Sequence, residues 1–187
     1  MAKLLGGFDY NMKLVLVDQE PGLVDCWKKE FAAFPEVEIV CGKILSLAHN
    51  AIVSPANSYG YMDGGIDELY LQFFGLQIQD RVQDAISRRQ EGFLPVGASL
   101  VVKTGHPMIP YLVVSPTMLI PEAVPASNCF FAMAATLRTA SRAAEITHLY
   151  CPGLGTGVGK IPFDVAAEEM ENAYRKWKIR NDASMAK

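Results

Sequence analysis

Apolar residues in this chain alternate between two patterns. Short, nearly continuous apolar runs read as strands buried on both faces, and between them apolar residues recur at the three- and four-residue spacing of a helix face. The runs at 14–17, 37–41 and 51–54 predict three strands. Pro21 sits near the start of a helix that carries Leu23, Val24, Trp27, Phe31 and Phe34. Segments 65–74 and 78–89 are expected to be helical, the second with Ile78, Val82, Ala85 and Ile86 along one face. Two further strands, 98–103 and 111–115, are split by Gly105 and two prolines. A small-residue helix at 129–144 leads to a buried strand at 147–151 and a closing helix at 164–177, with Asp164 or a neighbour as its cap. This alternation predicts an α/β fold: a three-layer α/β/α sandwich on a central mixed β-sheet. No repeat, low-complexity tract or linker interrupts it, so residues 1–187 are expected to form one domain with its core at about 13–180. The first dozen residues and 181–187 are expected to be peripheral.

Composition removes several function classes. Half of the 187 residues are hydrophobic, enough for one good core, and the formal net charge is −3. That balance makes nucleic acid an unexpected partner for a chain working by overall phosphate neutralisation. No apolar run approaches the ~20 residues of a bilayer span, and the N-terminus lacks a signal-peptide layout; the expectation is a cytoplasmic protein that avoids membranes and works as a monomer. Cys26, Cys41, Cys129 and Cys151 form no C-x-x-C pair and read as buried free thiols. His49, His106 and His148 lack a carboxylate or cysteine at ligand spacing, so no metal site is expected. No cofactor is expected either.

Two strand-to-helix loops carry the candidate chemistry. The first leaves the strand at 51–54, passes Asn57, Tyr59, Tyr61 and Asp63, and reaches Gly64, Gly65 and Asp67 at the start of a helix. The second holds Gly153, Gly155, Thr156, Gly157, Val158 and Gly159 before the last helix. It is not a Walker A loop, because Leu154 and Ile161 occupy positions that need glycine and a hydroxyl. Nor is it a dinucleotide fingerprint, since Val158 or Lys160 stands where the last glycine belongs. On the residues alone it is either a flexible turn or a cradle of backbone N–H groups for an anion at a helix N-terminus. Asp67, in a first helical turn, either stabilises its helix or supplies a carboxylate; the helix dipole is expected to keep it ionised. Asn57 is either a turn former or an amide offered to a ligand.

Taken together, the two loops resemble those of macro domains, the family that binds ADP-ribose. In that family a strand ends in Asn-Ala-Ala-Asn, crosses a glycine run and reaches Val-Asp or Ile-Asp. Asn57 matches the last Asn, Gly64 and Gly65 the end of the glycine run, and Asp67 the acid. The second loop, from Gly155-Thr156-Gly157-Val158 to Pro162, follows the family's phosphate loop without a gap, and the resemblance covers about 37–177. It implies that Gly64, Gly65, Gly155, Thr156, Gly157, Val158 and Gly159 surround a diphosphate and its sugar, and that Ile44 gives a backbone donor at the adenine end. It further implies catalytic roles for Asp67, which would orient a water at the distal ribose, and for Asn57, which would hold a ribose hydroxyl.

The departures are specific. Lys43 stands where the family has its adenine-binding Asp, and an ammonium cannot accept that hydrogen bond; Asp18 is a candidate replacement. Gly159 replaces the aromatic packed on the distal ribose, and Ser54 replaces the first Asn. Asp63 adds a charge beside the diphosphate that Lys160 would offset. The function so implied is binding of ADP-ribose or a related nucleotide, with hydrolysis of ADP-ribosyl esters on protein or of O-acyl-ADP-ribose. The alternatives are a non-catalytic ADP-ribose-binding module and an ADP-ribose 1″-phosphate phosphatase.

Overall fold

A computed structural model describes residues 12–185, with side chains through residue 183. Six strands form one sheet: β1 (Lys13–Asp18), β2 (Glu38–Cys41), β3 (Ala51–Ser54), β4 (Leu100–Lys103), β5 (Tyr111–Val114) and β6 (His148–Cys151). Their order is β2-β1-β6-β3-β5-β4. All neighbours are parallel except the edge pair β4–β5, so the sheet is mixed as expected. The helices are α1 (Pro21–Glu30), α2 (Ile44–Leu47), α3 (Gly65–Phe74), α4 (Gln77–Ser87), α5 (Ser127–Ala140) and α6 (Phe163–Met185).

The strands are apolar at consecutive positions because the sheet is covered on both faces. Leu14 and Leu16 of β1 point into a core built with Trp27 of α1, Leu137 of α5 and Met170 of α6. Val15 and Val17 point the other way, into a core with Tyr70 of α3 and Ile78 and Val82 of α4. The period-2 alternation of a strand thus feeds two helical layers from one apolar run, which is the α/β/α sandwich. No helix of the described residues is long and apolar enough to cross a membrane.

Several boundaries differ from expectation. Helix α2 was not anticipated, since its four residues are too few for any periodic signal. The closing helix starts one residue before Asp164 and runs to Met185, so 181–185 continue it. Asp164 does not cap it from outside: its Oδ1 accepts only the next N–H, of Val165, while the Pro162 carbonyl accepts from Ala166. Residues 1–11 and 186–187 lie outside the described residues. Of the cysteines, Cys129 and Cys151 are buried, and burial pushes both thiols up; Cys26 is half-buried and Cys41 exposed, so the expectation of four buried thiols is corrected at those two.

Candidate active site

Strands β1, β6, β3 and β5 are adjacent, parallel and end on the same side, so the four loops that follow them converge. They enclose a cleft of about 590 Å³. Its walls are Asp18, Gln19 and Glu20 after β1, the 55–67 loop after β3, Thr117, Met118 and Pro121 after β5, and the 152–159 loop after β6. Open α/β sheets bind ligands at this place, beyond the carboxyl ends of strands.

The first loop is held by its own asparagine. Asn57 Oδ1 accepts the N–H groups of Tyr59 (3.1 Å) and Tyr61 (3.3 Å), and its Nδ2 donates to the Tyr61 carbonyl at 2.8 Å. The amide expected to hold a ribose is therefore engaged mainly in shaping the loop, although Asn57 does line the cleft. The backbone also bonds to the segment after β5: Ser58 N donates to Met118 O and Thr117 N to Ala56 O, both at 2.9 Å. The two parallel strands β3 and β5 in effect continue into the cleft as one wall.

The second loop is open toward the cleft. Its internal turn bonds run from Ile161 N to Gly155 O and from Lys160 N to Gly157 O. The N–H groups of Thr156, Gly157 and Val158 enter neither bond, which leaves them as donors for an anion. Gly155 has φ +72°, a left-handed conformation natural to glycine. Asp18 ties this loop to the first strand: Oδ2 accepts Gly153 N–H and Oδ1 accepts Glu20 N–H, each at 3.1 Å. A Cβ at Gly65 would meet Val158 Cγ2 at 4.0 Å, so the two glycine loops face one another across the cleft.

Gly159 has a steric cause. A Cβ there would lie 2.6 Å from the Gly155 carbonyl oxygen and 3.0 Å from Val124 Cγ2, and Val124 N donates to the Gly159 carbonyl. The segment after β5 thus occupies the place where a side chain at 159 would go, and Met118 and Pro121 supply apolar wall instead. Because the conflict is with backbone, Gly159→Ala is expected to distort the loop and weaken ligand binding at least tenfold, a loss of roughly 1.4 kcal/mol. A titration giving wild-type affinity for the variant would show that the loop can yield.

Asp67 lies in the first turn of α3 and lines the cleft, yet only 6% of its surface is exposed. Burial raises its pKa to about 7, and the hydrogen bond from Ser54 Oγ at 2.7 Å acts in the lowering direction. The expectation of a firmly ionised carboxylate is corrected: desolvation outweighs the helix dipole, because the group sits under the loop rather than at an exposed helix end. Tyr70, one turn further on, is buried and donates to the Val53 carbonyl, which pins α3 against β3.

All the expected loop residues, Gly64, Gly65, Gly155, Thr156, Gly157, Val158 and Gly159, line the cleft with Asn57 and Asp67. Ile44 does not: it is the first residue of α2, its side chain packed in the core that holds Val15 and Val17. Lys160 also stays outside the lining, whereas Asp18, Glu20 and Asp63 belong to it, so the cleft carries carboxylates and no Lys or Arg among the described residues. Two of the histidines do meet, far from this site: the rings of His49 and His148 are 4.6 Å apart, and His49 Nδ1 is 2.8 Å from Tyr150 Oη. Among the described residues no three His, Cys, Asp or Glu group for a metal. The roles of Ser54, Thr117, Met118 and Pro121 were missed. Ser54 meets its partner 13 residues away, and only the prolines at 116, 121 and 125 marked the segment after β5 as irregular.

Comparison with known proteins agrees with this geometry. An uncharacterized protein from Aquifex aeolicus is 32% identical over 149 residues, 76% of this chain and 82% of that one. Another uncharacterized protein, from Pyrobaculum aerophilum, is 29% identical over 75% of each chain. Among solved structures, the macrodomain of Mycobacterium tuberculosis DarG superposes with a TM-score of 0.62 at 20% identity, covering 72% of this chain and 87% of that one. An Oceanobacillus iheyensis macrodomain mutant with ADPR gives a TM-score of 0.62 at 16% identity, over 72% and 74%. The sequence model of the Macro domain family matches residues 53–170, well over half of the chain and inclusive of both glycine loops. The chain belongs to the Macro domain family.

Proposed function

We propose that the cleft binds ADP-ribose or a related nucleotide and hydrolyses ADP-ribosyl esters, carried on an acidic side chain of a protein or as O-acyl-ADP-ribose. The observation that carries this reading is a buried carboxylate, Asp67, set beside a loop that offers a row of backbone N–H groups. An anion such as a diphosphate fits the N–H row. The sugar beyond it then lies toward Asp67. The Oceanobacillus iheyensis structure with ADPR and the Thermosipho africanus DarTG structure in complex with ADP-ribose, both of this fold, support the choice of ligand.

In the proposed reaction Asp67, ionised, accepts a proton from the attacking water. For an ester at the anomeric carbon, the water oxygen bonds to that carbon and the bond from that carbon to the ester oxygen breaks, its electron pair leaving with the carboxylate. For an acyl group on another ribose hydroxyl, the same water adds to the acyl carbonyl carbon and the bond to the ribose oxygen breaks, that oxygen taking the proton. A base with a pKa near the working pH suits this role. The test is release of ADP-ribose from an aspartate- or glutamate-modified protein, assayed beside O-acetyl-ADP-ribose. Wild-type protein that binds ADP-ribose yet releases nothing from either would be a reader. Two observations favour that second reading: the Asn57 amide already engaged in its own loop, and the absence of any cation in the lining among the described residues.

Because the base must be ionised, kcat/KM is expected to rise with pH through about 7. Ser54→Ala removes the hydrogen bond that favours the ionised form, so the ascending limb should move about one unit higher in pH, the scale of one hydrogen bond to a charged group. An unshifted limb would show that Ser54 does not act on Asp67.

A further inference from the structure

We propose that the groove between α5 and α6 is a second binding site, for single-stranded nucleic acid. The groove holds about 400 Å³ and lies in the distal half of α6, about 20 Å along that helix from the cleft. Arg138, Arg142, Lys176 and Arg180 line it, and no Asp or Glu does among the described residues. A chain of net charge −3 with 17 basic and 20 acidic residues has thus gathered four cations around one groove. The overall charge that argued against nucleic acid is an average, and local potential is what an anion meets.

The cations form a track. Lys176 and Arg180 are four residues apart on α6, about 6 Å along its axis; Arg138 lies in the last turn of α5 and Arg142 in the turn that follows it. A lone phosphate would need one such pair. Two pairs, one on α6 and one at the C-terminal end of α5, suit a backbone with repeated charges. Between them stand flat rings: Phe130 half-buried, Phe131 49% exposed and Trp177 half-buried. Lys176 Nζ lies 4.6 Å from the Phe130 ring centroid, where the ring face holds the charge beside the apolar floor. Basic side chains interleaved with aromatic ones are the chemistry that grips bases and backbone together. Asn181 lines the groove as well.

The experiment is fluorescence anisotropy of labelled oligo-dT of about 12 nucleotides, within the site sizes of single-strand grooves, titrated with the full chain across a series of salt concentrations. Wild type is expected to bind, with affinity falling as salt rises. The double variant Arg142→Glu/Lys176→Glu, both exposed, should weaken binding more than tenfold and leave the thermal melt in place. Neutralising the same pair, Arg142→Ala/Lys176→Ala, should shallow the log–log salt slope by about 1.4, or ~0.7 for each phosphate that the variant no longer neutralises. Phe131→Ala should weaken binding several-fold without changing that slope. Wild-type affinity in the charge-reversed variant would overturn the proposal, as would no binding at low salt. Equal affinity for a duplex would overturn the stacking role, and equal affinity for thymidine monophosphate would replace the track with a mononucleotide site.

Discussion

Asp67→Ala is expected to lower the rate of ADP-ribosyl ester hydrolysis by about 10²–10⁴, the usual contribution of a positioned general base, while ADP-ribose affinity stays within about tenfold. The split follows from where the carboxylate acts. Its proposed interaction is with a water that becomes nucleophilic in the transition state, whereas the diphosphate is held by backbone N–H groups of the opposite loop. The kinetics of ester hydrolysis, run with calorimetry on the same variant, check it. Turnover that persists in Asp67→Ala would move the chemistry elsewhere, with Asp63 the next carboxylate in the cleft.

Asp67→Asn is expected to make the protein more stable at alkaline pH. The unfolded Asp titrates near 3.8 and the folded one near 7. Below about pH 4 both states hold the proton and the folded state carries no penalty. Between about pH 4 and 7 the unfolded chain releases its proton first, so stability falls as pH rises, and above 7 the deficit is constant. Three pKa units correspond to something on the order of 4 kcal/mol. The amide keeps the shape, and its oxygen can still accept from Ser54, but it never ionises. Urea melts at pH 5 and pH 8 should therefore show a steep pH dependence in wild type that the variant lacks, with the variant ahead at pH 8. Parallel pH dependence in the two proteins would mean that Asp67 is solvated in solution. Strain of this kind is what a functional carboxylate costs its fold.

Both predictions turn on a feature that the sequence conceals. The position of Asp67 in a first helical turn was legible from the glycines before it and the apolar period after it. Its protonation was not, because the helix dipole is a local property and burial is set by packing between distant segments. The same division explains the rest. Strands β1 and β3 and helix α3 were readable because their apolar runs and flanking glycines are local signals. The convergence of four loops depends on the strand order, which no local pattern encodes. Gly159 appeared in the sequence as a missing aromatic; its cause is the Gly155 carbonyl of its own loop, joined by Val124, thirty-five residues earlier, folded over that loop. Ile44 was placed at the adenine end by resemblance, for its backbone N–H; the short helix that begins there buries its side chain in the core, and the residue lies outside the lining of the cleft.

The central claim, that this cleft is an ADP-ribose site, is tested most directly by calorimetric titration of the full chain with ADP-ribose. The N–H row and the facing glycine loops predict saturable, one-to-one binding. The carboxylates of Asp18, Glu20 and Asp63, in a lining without Lys or Arg among the described residues, predict that it is no tighter than micromolar. A flat titration at millimolar ligand would contradict the claim, and with it every role assigned to the two glycine loops.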